Sequence, residues 1–194
     1  MVNLQQRVVN ILTKPKDEWP VIAAESTDVA SLYKQYIAPL AAIPSVCSFI
    51  GMATVGMSLP FVGHIRIGFG AGLRSLIVGY VMALVGAFVA ALIIEKLAPR
   101  FKSSGSTVDA LKLVAYASTP GWIAGVLSLV PMLGALGILA GLYGIYLFYL
   151  GLTPVMKTPS DQVLPYMIVS AICVIVVMFL VSMITGMMAP LPRM

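Results

Sequence analysis

Charged side chains punctuate this chain at intervals that leave long apolar runs between them. Because an ionic side chain costs about 2.5–3.5 kcal/mol at the centre of a membrane-crossing helix, charges mark where a chain can leave hydrocarbon. No Asp, Glu, Lys or Arg lies between Lys34 and Arg66, and residues 37–59 read as a first span, with Pro39 near its start and Pro60 just past its end. Arg74 and Glu95 bracket a second, 75–94, with Glu95 at its inner end beside Lys96. The run between Lys112 and Lys157 has no charge. As a helix it would be about 66 Å long, twice the roughly 30 Å hydrocarbon core, so it must fold back on itself. Pro131, followed by Gly134, marks the bend and predicts a hairpin of spans 111–130 and 133–152. The uncharged stretch from Pro165 to Pro192 supplies a fifth, 166–188. The pattern predicts an all-α, polytopic transmembrane helical bundle of five spans over 37–189, preceded by a cytoplasmic segment, 1–36.

Helical periodicity recurs before the first span. Leu4, Val8, Ile11 and Leu12 share one face, with Arg7, Asn10, Thr13 and Lys14 across from them. Lys14, Lys16 and Trp19 follow as an interfacial anchor, so a short amphipathic N-terminal helix is expected on the inner leaflet. Docking of this helix against the bundle's cytoplasmic face fits the pattern equally well. Ser26, Thr27 and Asp28 are N-cap candidates for a helix running into the first span. The charges before Tyr36 leave no uninterrupted apolar stretch of the kind a cleavable signal needs.

Composition sharpens the picture. The 194 residues are 60% hydrophobic and 10% charged, with mean hydropathy +1.00. Soluble domains carry about 25% charged residues, so much of this surface must face lipid. The net charge of +5 predicts no nucleic-acid partner, because the basic residues lie between apolar runs rather than in one patch. They report orientation instead. With the N-terminus inside, Arg7, Lys14, Lys16, Lys34, Lys96, Arg100, Lys102, Lys112 and Lys157 are cytoplasmic, and Arg66, Arg74 and Arg193 are outside. Nine against three predicts a cytoplasmic N-terminus and, with an odd number of spans, an extracytoplasmic C-terminus.

Inside lipid, helices associate through small residues. Gly79, Ala83 and Ala87 in the second span, and Gly137, Gly141 and Gly144 in the fourth, form such packing stripes. Pro120 predicts a kink in the third span, freeing a carbonyl near Tyr116 that Ser118 or Thr119 can cap. Tyr116, Ser118, Thr119 and Pro120, together with Tyr143 and Tyr146, are therefore the candidate hinge or groove. Catalytic chemistry has little to work with. The spans hold no ionisable residue beyond their edges, and Ser118 and Thr119 have no neighbouring base. His64 with Arg66 is a weak interfacial candidate. Met178, Met183, Met187 and Met188 read as apolar filler. Cys47, Cys173 and one histidine make neither a disulfide framework nor a metal site. No catalytic residue, cofactor or metal is expected.

Three segments together resemble a known family: Ile11-Leu12-Thr13-Lys14-Pro15-Lys16-Asp17-Glu18-Trp19, Ala115-Tyr116-Ala117-Ser118-Thr119-Pro120, and Leu142-Tyr143-Gly144-Ile145-Tyr146-Leu147-Phe148-Tyr149-Leu150-Gly151-Leu152 running on to Lys157-Thr158-Pro159. In order and spacing they resemble the bacterial branch of the Yip (Ypt-interacting protein) family. That resemblance implies five spans, a cytosolic N-terminus, a bacterial inner membrane and a role in membrane organisation or trafficking. Eukaryotic relatives bind prenylated small GTPases through a longer N-terminal region, and with a segment of only about 36 residues that partner is not expected here. The expected function is a non-enzymatic scaffold or adaptor meeting membrane lipid and forming a homo-oligomer or contacting other membrane proteins. The alternative is a transporter or channel for a small neutral or lipophilic solute.

Overall fold

Helix α1, Leu4–Thr13, starts where the Asn3 side chain accepts from the Gln5 N–H, and it buries Arg7 and Ile11, one turn apart on one face. Helix α2, Pro15–Ala24, opens on proline, whose missing N–H costs nothing in a first turn, with Asp17 and Glu18 beside the positive end of the helix dipole. Its buried residues, Pro15, Glu18, Trp19 and Ile22, form a single helical stripe. A computed structural model describes residues 3–59, 63–65 and 68–187 of the chain, the side chains of 57–59, 63–65, 178 and 180–187 excepted.

Helix α3, Val29–Leu32, is capped by Asp28, which accepts from the Ser31 N–H at 2.7 Å. It continues through a wide π turn, Tyr33–Ile37, into α4, Ala38–Thr54, making one helical path over Val29–Thr54. The wide turn, in which the Ala38 N–H reaches Tyr33, sits immediately before Pro39, which has no N–H to donate. A short antiparallel hairpin follows, β1 Met57–Leu59 and β2 Gly63–Ile65, pairing Ser58 with His64. Arg66, Arg193 and Met188 lie outside the described residues.

Helix α5, Phe69–Leu97, extends past both ends of the expected 75–94, so Arg74 sits inside it, exposed. A 3-10 turn, Ala98–Phe101, ends it, with Lys102 left-handed at φ 54°. Helix α6, Thr107–Ala117, begins with a reciprocal cap between Ser106 and Asp109 and is buried at every residue from Ala110 to Ala117. It is the axis of the bundle, packed against α5 on one side and α8 on the other.

Residues 111–130, expected as one helix, are instead three pieces: α6, the short helix α7 (Thr119–Ala124) and a 3-10 stretch, Gly125–Leu129. The chain folds back at Val130, which is extended because Pro131 disfavours helix before it. The return leg starts as another 3-10 stretch, Pro131–Leu136, and becomes α8, Gly137–Met156. Helix α9, Val163–Met187, closes against α5 and α8. Three helical stretches are long and apolar enough to cross a membrane, Val29–Thr54, Phe69–Phe101 and Pro131–Met156, and Val163–Val177 is a shorter apolar one.

Glycine sets one crossing. A Cβ on Gly51 would strike the carbonyl oxygen of Ser128, and one on Gly125 would lie 2.6 Å from the Pro44 Cβ. Helix α4 and the Gly125–Leu129 stretch thus touch backbone to backbone, as small-residue packing in lipid requires.

Candidate functional site

The three segments behind the family resemblance, far apart in sequence, meet at one end of the bundle. Trp19 of α2 is 1% exposed and meets the Tyr116 ring of α6 edge-on at 6.1 Å. On α8, a Cβ at Gly151 would come within 2.7 Å of the Trp19 ring. No larger residue fits there unless Trp19 moves. The Tyr143 hydroxyl of α8 donates to the Leu12 carbonyl at the end of α1 at 2.8 Å. The N-terminal helices are therefore docked on the bundle. Trp19, expected as an interfacial anchor, is a core side chain; Lys14 and Lys16 remain exposed. The physical reason lies in shape: Gly151 has no side chain to occupy the space that the Trp19 ring fills.

A charge network locks this docking. The Arg7 guanidinium bridges the carboxylates of Glu18 and Glu25, and its carbon lies 5.9 Å from the Tyr116 ring centroid. Asn10 donates to the second Glu18 oxygen at 3.1 Å. The Arg7 and Glu18 side chains are 5% and 9% exposed. Burial alone pulls the guanidinium down, but the hydrogen bond to Glu25 and nearby negative charge more than offset it, holding Arg7 above its ordinary value. Lys112 of α6 reaches across to donate to the Glu25 carbonyl at 2.6 Å and stands 3.9 Å from Asp109. Beside the network opens a recess of about 880 Å³ walled by Arg7, Glu25, Asp28, Lys112 and Tyr116. Its charges largely cancel.

At the base of the junction Thr119 is fully buried. Its hydroxyl donates to the Ala115 carbonyl at 3.2 Å, so its one proton is committed and it accepts from the Tyr36 hydroxyl at 2.7 Å. The carbonyl capped is Ala115, one residue before the Tyr116 group that Pro120 was expected to free. Glu95, beside Lys96 near the end of α5, accepts from Thr107 at 2.7 Å.

The candidate hinge and groove residues separate. Tyr116, Thr119 and Pro120 are buried in the junction; Tyr143 is tied to α1, with Tyr146 beside it at 5.8 Å and exposed. A second cavity, a laterally open apolar groove of about 630 Å³, runs between α5, the α6–α7 break, α8 and α9. Neither Tyr143 nor Tyr146 lines it. Ala83 and Ala87 do, as do Gly141, Gly144, Ser118 and Ser170. Gly79 lies near Ser45, whose Oγ would be 3.8 Å from an added Cβ. Among the described residues nothing lies within 4 Å of a Cβ added at Gly137 or Gly141, whereas one at Gly144 would meet the Ala117 carbonyl at 2.8 Å.

Sequence reasoning missed Arg7, Glu18, Glu25 and Lys112 as partners, and Ser170 altogether. A signal existed for the first group: four of the seven acidic residues crowd into positions 17–28, just after an arginine on an amphipathic helix. Ser170 had none, being one hydroxyl in a long apolar run.

Residues 9–183 match the Yip1 domain family. The chain is similar to the inner membrane protein YohC of Escherichia coli K12, 25% identical over 162 residues that cover 82% of this chain and 83% of that protein. YohC of a second E. coli strain, O6:H1, matches with the same identity and coverage. No solved structure matches.

Proposed function

The chain belongs to the Yip1 domain family of membrane proteins, and on that footing we propose that it is a non-enzymatic scaffold or adaptor that assembles side by side in the bacterial inner membrane. The observation that carries this reading is the outer face of α8. There Gly137, which lies outside the groove lining, has open space above it among the described residues, flanked by exposed Ile138, Leu139 and Leu142. In lipid such a face gains contact by packing against another helix. The ionisable groups of the junction are committed to one another, which supports a structural rather than a catalytic role.

The proposal includes five crossings with the N-terminus in the cytoplasm. Residues 107–129, broken as they are, still reach far enough if their pieces stack, and α9 at 25 residues would span about 38 Å. A reporter fused after Met194 should register the extracytoplasmic compartment; a cytoplasmic signal would overturn the topology. Small-GTPase binding is not part of the proposal, since α1 and α2 are occupied with the bundle.

Assembly is tested by crosslinking in native membranes. Gly137→Leu should reduce copy-to-copy or copy-to-partner products severalfold, and an unchanged pattern would refute the scaffold. A second reading, transport of a small neutral or lipophilic solute, draws on the open groove. It requires solute-dependent protection from labelling along the groove wall.

A further inference from the structure

The apolar groove has a direction and an unmet polar group, and together these identify an occupant. Its wall on α5 runs from Met82 to Ile94, about 18 Å at 1.5 Å per residue and close to one leaflet of a roughly 30 Å hydrocarbon core. One end is located by the Tyr166 hydroxyl, which donates to the Ile94 carbonyl at 2.5 Å. This is the end where Glu95 bonds Thr107 and where α8 finishes, with its Met156 carbonyl accepting from the Ser104 N–H at 3.1 Å. It is thus the side of the docked N-terminal helices. One turn deeper along α9, Ser170 is 1% exposed, and its hydroxyl has no hydrogen-bond partner among the described residues. A buried hydroxyl without a partner is costly, and here it stands in the wall of an open groove.

We propose that the groove holds one acyl chain of a phospholipid from the leaflet on the side of the N-terminal helices, with the Ser170 hydroxyl donating to the ester carbonyl. The chain fills the slot between Ala83, Ala87 and Ala171, which the small side chains leave open. Ser170 lies about 6 Å below the Tyr166 tether, near the boundary where glycerol esters sit. Lys96, Arg100 and Lys102 are exposed at the same end and suit an anionic headgroup. A second copy's helix would bury the groove without answering the hydroxyl. Calling that leaflet cytoplasmic rests on the topology proposed above; the site itself does not, nor does it depend on assembly through Gly137.

The test uses the full chain in phosphatidylethanolamine vesicles containing phosphatidylglycerol with a photoactivatable diazirine midway along one acyl chain. Crosslinks should concentrate on α5 around Met82–Ala90 and on α9 around Met167–Ile175. Ala87→Trp and Ala171→Trp, which fill the slot, should each lower this labelling about tenfold, and Ser170→Ala, which removes only the hydroxyl, about fivefold, the worth of one net hydrogen bond. Val85→Trp, exposed on α5 outside the groove lining, should leave it unchanged. Should the tryptophan variants fail to fold, Ser170→Ala still decides. Labelling spread over all lipid-facing surfaces, or indifferent to Ser170→Ala, overturns the proposal. Copy-to-copy crosslinks from groove positions also overturn it and give the groove to a second chain. Either failure leaves the Gly137→Leu test of assembly intact.

Discussion

The two ends of this bundle are held by different means. At the end carrying α1 and α2, large aromatic rings and paired charges do the holding: Trp19 meets Tyr116 edge-on and Tyr36 meets it tilted, while Arg7 joins the carboxylates of Glu18 in α2 and Glu25 just past its end. At the opposite end, where the chain turns at Val130, α4 meets Gly125–Leu129 through glycines and bare backbone, and every residue from Met132 to Leu136 is exposed. Buried charges need specific partners, so the first end is built from them. Where bare backbones already touch, only close approach is gained, and small residues serve. The contrast shows where each kind of substitution should hurt.

The largest effect is expected at the aromatic centre. Trp19→Ala should destabilise the bundle by about 4 kcal/mol, the cost of emptying a fully buried indole site, measured by denaturant unfolding in micelles. Trp19→Phe should recover part of this. If Trp19→Ala changes stability by less than a kcal/mol, the N-terminal helices are not docked as described. Next is Arg7→Ala, which strands the Glu18 carboxylate. The loss should be about 3 kcal/mol, at the low end for a broken buried pair because Glu25 is partly exposed and rehydrates. Limited proteolysis within 1–25 should accelerate in parallel. At the opposite end, Gly51→Ala should cost about 1–3 kcal/mol, since the added methyl meets backbone that has no rotamer to yield. Equal losses from Gly51→Ala and Gly137→Ala would break the comparison, because only the first has a neighbour to strike.

The smallest effect concerns acid. Hydrogen bonds from the Ser31 N–H and hydroxyl hold the Asp28 carboxyl below its ordinary range. A carboxyl depressed in the folded state stabilises above the ordinary carboxylate range, and that contribution is lost as pH falls through the depressed value. Hydrogen exchange at the Ser31 amide should therefore quicken, beyond its intrinsic pH trend, only under strong acid. Asp28→Asn should flatten that extra dependence.

Much of the architecture could be read from charge spacing because a charge in hydrocarbon is expensive and each apolar run must end somewhere. The bend before Pro131 and the Asp28 cap were legible for similarly local reasons. The break at Ser118 was legible only as a kink, since the split into α6, α7 and a 3-10 stretch depends on what α4 presses against the chain at Gly125. The site was less legible still. Trp19 beside Lys14 and Lys16 has the composition of a membrane anchor, and nothing local distinguishes an indole facing lipid from one sliding over Gly151, 132 positions away.

By itself, then, the sequence determined that this is a helical membrane protein, where its apolar runs start and stop, and which family it resembles, because these follow from residue type and spacing. Tertiary structure alone decided that Arg7 would find Glu18 and Glu25, that Tyr143 would tie α8 to α1, and that small residues on three helices would leave a groove with Ser170 in its wall. Such choices belong to pairs of surfaces, and a surface acquires its partner only when the chain has folded.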